Sequence, residues 1–252
     1  MNAATGSRGE QARRFYDAAA ETADNFSFMN YGFAPLIAEL AAAEEPERYC
    51  LQLYRHLVGA TPLAGKRIVE VSCGRGGGAS HLARVLQPAT YLGIDISEQN
   101  VRLARERFSA PNLSFTTGNA EALPLPAGSC DAVINVEAAH LYDNPAQFFA
   151  EVARVLDSRG RFFHADLSWR DKDPVQLIAD AGFDIESTED ITSNVLEALR
   201  LDSVRREDIV ARFPENLRAD FRDWSGVRGH RAYNRLESGE WVYRAVRAQR
   251  RS

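Results

Sequence analysis

The chain has 252 residues, of which 45% are hydrophobic and 26% charged, and its formal net charge at pH 7 is -5. This length suits one large domain with or without an appended segment, and the composition argues against a fibrous or extensively disordered protein. A mildly acidic chain lacks the basic surface that binds phosphate backbones, so nucleic acid is not expected as a partner.

The first 60 residues predict a helical segment ahead of the main domain. Residues 10–58 have helical spacing, with breaks at Pro35 and Pro46. We interpret residues 1–60 as either a lid or a helical layer on the core, because aromatic residues at helical spacing usually belong to a core. The aromatic residues of this segment include Phe15, Tyr16, Phe26, Phe28, Tyr31 and Phe33.

The start of the chain is polar, and no run of about 18 apolar residues occurs, so we expect a cytoplasmic protein without a membrane span. From residue 67 onward, short β-branched runs alternate with longer amphipathic stretches, a rhythm typical of βαβ units. Strands are predicted at 67–72, 90–94, 113–117, 131–136, 161–166, 183–188 and 240–246. Helices are predicted at 78–86, 98–108, 145–156 and 174–181, with a mixed stretch at 191–236.

A glycine-rich turn follows the first of these strands. The sequence EVSCGRGGG occupies residues 70–78, and its glycines allow the backbone to approach a ligand and present amide donors at a helix start. By itself the turn also fits a dinucleotide fingerprint, with Asp95 at the distance of a ribose-binding acid. Glu70 favours a different ligand, because an acid beside the turn repels a pyrophosphate and attracts an ammonium or sulfonium group.

Two later features accompany the turn: Asp95 follows the second strand, and GNAEALPLP at 118–126 leads to DAV at 131–133. In this order and spacing, the three motifs resemble the class I S-adenosylmethionine-dependent methyltransferases over about residues 65–167. The resemblance implies a Rossmann-like α/β fold, with a seven-stranded, mostly parallel sheet, helices on both faces and an antiparallel last strand. It further implies a methyltransferase domain at 61–252, S-adenosylmethionine as the cofactor, and an acceptor-binding insertion at 191–238.

The resemblance also implies which positions hold the cofactor. Gly74, Gly76 and Glu70 would flank its methionine part, and Asp95 would accept hydrogen bonds from both ribose hydroxyls. Ser72 is a departure, since the family usually has its first loop glycine there. The adenine would lie beside Ile96, Asn119 and Ala120. The full predicted set is Glu70, Ser72, Gly74, Gly76, Asp95, Ile96, Asn119, Ala120 and Asn135.

Methyl transfer to a hydroxyl requires positioning and the removal of one proton, so a base is expected at the carboxyl ends of the strands. His140 follows the fourth strand and Asp166 ends the fifth. In the subgroup that modifies polyketides, sugars and glycolipid precursors, similar residues are thought to act together. The resemblance therefore implies His140 as general base, with a pKa suited to neutral pH, and Asp166 as its partner. A purely structural role for either residue stays open, His164 is a weaker alternative base, and Glu137 is expected at the methionine end.

We expect no metal, because Asp166 is followed by a leucine and no dense cluster of oxygen ligands is evident. The predicted function is methyl transfer from S-adenosylmethionine to a hydroxyl of a small molecule, in secondary or lipid metabolism. The sequence leaves a homo-oligomer open. The alternatives are carbon or nitrogen methylation on the same fold, a nicotinamide-dependent oxidoreductase, and a non-catalytic cofactor-binding module.

Overall fold

The computed structural model of the chain describes residues 7–22, 26–36, 40 and 44–252. Seven strands form one sheet within it. The strands are β1 (Arg67–Val71), β2 (Thr90–Asp95), β3 (Leu113–Thr117), β4 (Cys130–Val136), β5 (Leu156–Trp169), β6 (Phe183–Asp190) and β7 (Trp241–Arg250). Their order is β3-β2-β1-β4-β5-β7-β6. β1 to β5 pair in parallel, and β7 runs antiparallel between β5 and β6. The predicted fold class is confirmed, including the antiparallel last strand.

The strand order reverses between β1 and β4, which creates a crevice at the carboxyl ends of these two neighbours. Alternate residues along the strands enter two separate cores, as the pleat of a strand requires. Ile68 and Ile134 belong to one apolar cluster, whereas Val69 and Val133 belong to the other. Both faces of the sheet are therefore buried. The crevice at the carboxyl ends of β1 and β4 is the expected position for a ligand.

Ten α-helices surround the sheet within the described residues. They are α1 (Arg8–Thr22), α2 (Arg48–Val58), α3 (Gly77–Leu86), α4 (Glu98–Arg107), α5 (Pro145–Val155), α6 (Pro174–Asp180), α7 (Thr192–Leu201), α8 (Ser203–Val210), α9 (Arg218–Trp224) and α10 (Arg231–Glu237). Local signals explain several starts: the Ser97 side chain caps α4 and the Asn144 side chain caps α5, where Pro145 occupies the first turn. None of these described helices is long and apolar enough to cross a membrane.

The helical prediction for residues 10–58 was wrong over 26–36, which form neither helix nor strand. Their backbone donors bond to distant partners instead: Phe33 N donates to Tyr49 O at 2.9 Å, and Ala34 N donates to Asn194 O at 3.2 Å. Pro46 lies inside a short 3-10 helix, Glu45–Glu47, rather than interrupting one. The parts of this prediction at 23–25, 37–39 and 41–43 lie outside the described residues, as do residues 1–6.

β5 and β7 extend furthest beyond their predicted bounds. β5 extends over Leu156–Trp169 and β7 over Trp241–Arg250, because β7 pairs with β5 along one edge and with β6 along the other. The pairing partners supply hydrogen bonds that no local pattern indicates. Between β6 and β7, the stretch predicted to be mixed consists mainly of helices α7 to α10.

Candidate active site

A cavity of about 310 Å³ opens at the carboxyl ends of β1, β2, β3 and β4. Residues from the loops after all four strands line it, as expected for an open α/β sheet. Six of the predicted site residues belong to the lining: Ser72, Gly74, Asp95, Ile96, Asn119 and Ala120. The other five do not belong to the lining: Glu70, Gly76, Asn135, His140 and Asp166. In the described ranges no group of three or more acidic, histidine or cysteine side chains could hold a metal ion.

The glycine-rich turn has the left-handed backbone that its sequence indicates. Gly74 has a φ of 54° and Gly76 a φ of 81°. A Cβ on Gly76 would lie 2.8 Å from the Phe115 ring, so the position has no room for a side chain. Ser72, the residue that departs from the family pattern, also adopts a left-handed φ of 59°. Its hydroxyl is 2.7 Å from the Tyr142 hydroxyl, and this contact holds the serine in a conformation that usually favours glycine.

Asp95 connects the turn to the end of β2. Its Oδ2 accepts a hydrogen bond from Gly74 N at 2.8 Å, and its Oδ1 accepts one from Ser97 N at 2.9 Å. Burial raises the pKa of Asp95, although the amide donors oppose this shift. The carboxylate borders the cavity while these bonds fix its position, so it is preorganised to accept hydrogen bonds from a ligand.

Glu70 lies beneath the turn and outside the cavity lining. It is buried, and two phenols hold it: Tyr54 donates to Oε1 and Tyr91 to Oε2, both at 2.8 Å. Burial raises the pKa of Glu70 to about 7 even though both hydroxyl donors lower it. The residue therefore supports the turn from below, and in this geometry a ligand in the cavity would not contact it directly.

Asn135 has a comparable supporting position at the end of β4. Its side-chain amide donates to Val71 O and to the Tyr142 hydroxyl, each at 3.0 Å. Asn135 Oδ1 lies 3.0 Å from Nδ1 of His164, which is buried and stacked on Phe162. Burial lowers the pKa of His164 to about 4. His164, the weaker alternative base, is thus a neutral core residue that positions its neighbours.

His140 and Asp166 lie side by side next to the cavity. Nδ1 of His140 is 2.7 Å from Oδ1 of Asp166, and the backbone N of His140 donates to Oδ2 at 2.9 Å. The Asp166 side chain is 4% exposed, whereas that of His140 is 25% exposed. Burial alone lowers the pKa of His140, but the Asp166 carboxylate and Glu137 outweigh it and raise the pKa. Because Nδ1 faces Asp166, Nε2 is the ring nitrogen left for a substrate.

Sequence reasoning missed several residues of the cavity wall. Tyr142 lines it two positions after His140, and Asn30 and Met29 line it from the non-helical N-terminal segment. Tyr16 of α1 lines the cavity as well, so this helix contributes to the cavity wall. The aromatic composition of the N-terminal region was the one available signal, and it does not specify which ring faces a ligand.

Comparisons with known proteins agree with this geometry. A family model described as a methyltransferase domain matches residues 69–164. A phthiotriol/phenolphthiotriol dimycocerosates methyltransferase from Mycobacterium leprae is 38% identical over 227 residues, or 88% of this chain and 84% of that protein. A fatty-acid O-methyltransferase from Mycolicibacterium smegmatis is 37% identical over 228 residues, or 88% of this chain and 82% of that protein.

Solved structures match over nearly the whole chain. The cyclase SpnF has a TM-score of 0.75 at 18% identity, with 98% of this chain and 97% of that chain covered. A geranyl diphosphate C-methyltransferase from Streptomyces coelicolor A3(2) has a TM-score of 0.71 at 17% identity, covering 98% and 100%. These likenesses establish the fold alone, since one fold carries several activities. The sequence relatives establish more, and the chain belongs to the class I S-adenosylmethionine-dependent methyltransferases.

Proposed function

We propose that this chain transfers a methyl group from S-adenosylmethionine to a hydroxyl group of a lipid-like small molecule. The observation that carries the proposal is the pair formed by His140 and Asp166 beside the cavity, with Nδ1 and Oδ1 2.7 Å apart. An oriented imidazole at this place is suited to removing a proton from a hydroxyl. For transfer to carbon or nitrogen, a general base at this position need not be essential.

The charge of the cavity supports a cationic cofactor. Its described lining has one cationic side chain, Arg75, which is fully buried with its guanidinium stacked 3.8 Å from the Phe26 ring centroid. A sulfonium-bearing nucleoside is favoured in such surroundings, whereas the pyrophosphate of a nicotinamide cofactor is repelled. The acidic residues of the lining are Glu10, Asp95, Glu121, Glu137 and Asp143.

The shape of the site also fits the nucleoside. Asp95 would accept from the ribose hydroxyls, because its carboxylate borders the cavity and is already fixed by two amide donors. Gly74 and Ser72 would lie along the methionine part, and Ile96 and Ala120 would pack against the adenine. When bound, S-adenosylmethionine supplies a methyl group activated by the positive charge of its sulfur.

His140 then acts on the acceptor. Asp166 holds Nδ1, so Nε2 accepts the proton as the acceptor oxygen forms its bond to the methyl carbon. A bound S-adenosylmethionine would supply the methyl carbon, and its sulfur would keep the electron pair of the carbon–sulfur bond. Asp166 stabilises the imidazolium that results, because its carboxylate lies 2.7 Å from the ring nitrogen.

The lipid-like character of the acceptor is supported by aromatic packing beside the cavity. Phe15 of α1 stacks on Phe221 at 4.5 Å between ring centroids, and Tyr16 contacts Trp224 at 5.8 Å. These rings join α1 to the helical insertion, where an apolar chain would find complementary surface. The names of the two mycobacterial relatives also refer to lipids. A hydroxyl acceptor is favoured over a fatty acid because an ionised carboxylate needs no base.

The test uses long-chain alcohols as acceptors and measures S-adenosylhomocysteine formation. His140→Ala is expected to lower kcat by about 10²–10⁴-fold, since that is the usual contribution of a general base. Its affinity for S-adenosylhomocysteine, measured by calorimetry, should stay near that of the wild type. Arg102→Ala, at an exposed position of α4 outside the cavity lining, is the control, with unchanged kcat. Near-normal turnover of alcohols by His140→Ala would reject the base. Turnover of amine acceptors in place of alcohols would favour nitrogen methylation, and no turnover with any acceptor would favour a non-catalytic module.

A further inference from the structure

Glu137 is a cavity residue to which the mechanism above gives no task. It follows β4 directly and has a left-handed φ of 52°, although it is not a glycine. Its backbone N donates to Ala165 O at 2.7 Å, which holds this conformation against β5. Strained backbone of this kind persists only where the surroundings enforce it, and it is frequent at functional sites.

The hydrogen bonds of Glu137 are distributed unequally between its two oxygens. Tyr31 N donates to Oε2 at 2.8 Å, and the Tyr243 hydroxyl donates to the same Oε2 at 2.9 Å. Within the described residues Oε1 receives no hydrogen bond. Two donors on one oxygen favour negative charge there, so a proton on this carboxyl group would be carried by Oε1.

The surroundings favour the protonated form. Burial raises the pKa of Glu137 to about 8, and the nearby Asp166 carboxylate acts in the same direction. The bonds from Tyr31 and Tyr243 and the charge of His140 oppose the shift without cancelling it. Tyr16, which faces Glu137 from α1, has a strongly raised pKa and stays neutral.

We propose that Glu137 is a second catalytic residue that donates a hydrogen bond from protonated Oε1 to the acceptor oxygen while His140 takes the acceptor's proton. This inference rests on the proposed function, because it requires an oxygen acceptor at the same site. A neutral carboxyl group orients the hydroxyl and tolerates the negative charge that develops on its oxygen. An ionised carboxylate in that place would repel the attacking lone pair. Glu137 and His140 therefore have complementary roles, one as donor and the other as acceptor.

The kinetic test compares Glu137→Gln with Glu137→Ala across pH. Glutamine keeps an N–H donor and cannot ionise, so Glu137→Gln should retain activity within about 10-fold and lose the alkaline decline of the wild type. Alanine removes the donor, and kcat/KM should fall by about 10²-fold at every pH. Glu186→Gln removes a carboxylate from the exposed edge strand and should change neither the activity nor the profile. The proposal would be overturned if both Glu137 variants lost the same activity while the activity of the wild type still rose through the pKa of Glu137, about 8.

A second readout needs no acceptor. Infrared spectroscopy of the wild type at neutral pH should detect the C=O band of a buried protonated carboxyl group that is missing in Glu137→Gln. The band should persist when S-adenosylmethionine is added; its absence, with or without the cofactor, would overturn the proposal. Tyr243→Phe removes a donor that favours ionisation, so the band should titrate at higher pH, which identifies Glu137 even if Glu137→Gln fails to fold. Persistence of the band in a protein that transfers no methyl group to any alcohol would reject the proposed function and leave the protonation of Glu137 intact.

Discussion

Both carboxylate oxygens of Asp166 hold His140, one through the ring and one through the backbone. Oδ1 is 2.7 Å from Nδ1, and Oδ2 accepts from the backbone N at 2.9 Å. The residues are 26 positions apart in sequence: Asp166 lies within β5, and His140 lies in a short 3-10 helix, Ala139–Leu141, that follows the neighbouring strand β4. The two contacts together fix the orientation of the ring and determine which nitrogen faces the carboxylate. With one contact alone, the ring could still rotate.

Replacing Asp166 by asparagine should lower kcat and should shift the acidic side of the pH profile of kcat to lower pH. In the proposed mechanism His140 must be neutral to accept a proton, so activity should be lost as pH falls through its raised pKa. Without the carboxylate, the pKa of His140 falls, and the loss begins at lower pH. Because the imidazole also loses its enforced tautomer, kcat at the optimum should drop by about 10²–10⁴-fold.

The measurement is the pH dependence of kcat for wild type and Asp166→Asn. Asp184→Asn, at an exposed position of β6, serves as the control and should behave as wild type. An acid limb that stays in place in Asp166→Asn would show that another group controls it.

Asp95→Asn should weaken cofactor binding by on the order of 10²-fold, since an amide offers one acceptor oxygen and no charge. Calorimetric titration with S-adenosylhomocysteine measures this directly. Asp208→Asn, on the exposed side of α8, should leave the affinity unchanged. Circular dichroism must confirm the fold, because Asp95 also accepts from Gly74 N and Ser97 N. If Asp95→Asn and the wild type bound S-adenosylhomocysteine with equal affinity, the ribose would not be held by Asp95.

Gly78→Ala should destabilise the protein although alanine is the better helix former. An added Cβ in α3 would lie 2.2 Å from the Tyr54 ring, which is buried and bonded to Glu70. Displacing that ring should lower the free energy of unfolding by about 1–3 kcal/mol. Denaturant unfolding measures the change, and Ser80→Ala in the same helix is the control. Equal or greater stability of Gly78→Ala would mean that the ring moves without cost.

Glu70 should make stability depend on pH. Its pKa in the folded protein is about 7, above the ordinary value of 4.5, so the folded state binds more protons than the unfolded state between these values. The contribution of Glu70 to stability is therefore full below pH 4.5 and is lost as pH rises through 7. Glu70→Gln cannot ionise, and its stability relative to wild type should increase from about pH 5 to about pH 8.5. A constant difference in unfolding free energy, or the same trend in Glu186→Gln, would contradict this.

The sequence by itself determined the elements that depend on local patterns. Alternating apolar runs predicted the strands, the glycines at 74 and 76 predicted a turn, and the order of motifs predicted where Asp95 borders the crevice. The side chains of His140 and Asp166 could be expected to meet, because parallel neighbouring strands bring their carboxyl ends to one edge of a sheet.

Tertiary structure alone decided the contacts between distant segments. Residues 26–36 give up helical hydrogen bonds because their donors find partners on α2, α7 and Glu137. The sequence predicted that Glu70 would flank the cofactor, yet its carboxylate accepts hydrogen bonds from Tyr54 and Tyr91. The two donors to Oε2 of Glu137 come from residues 106 positions away on either side. Such pairings depend on the packing of whole elements, which no local pattern of side chains encodes.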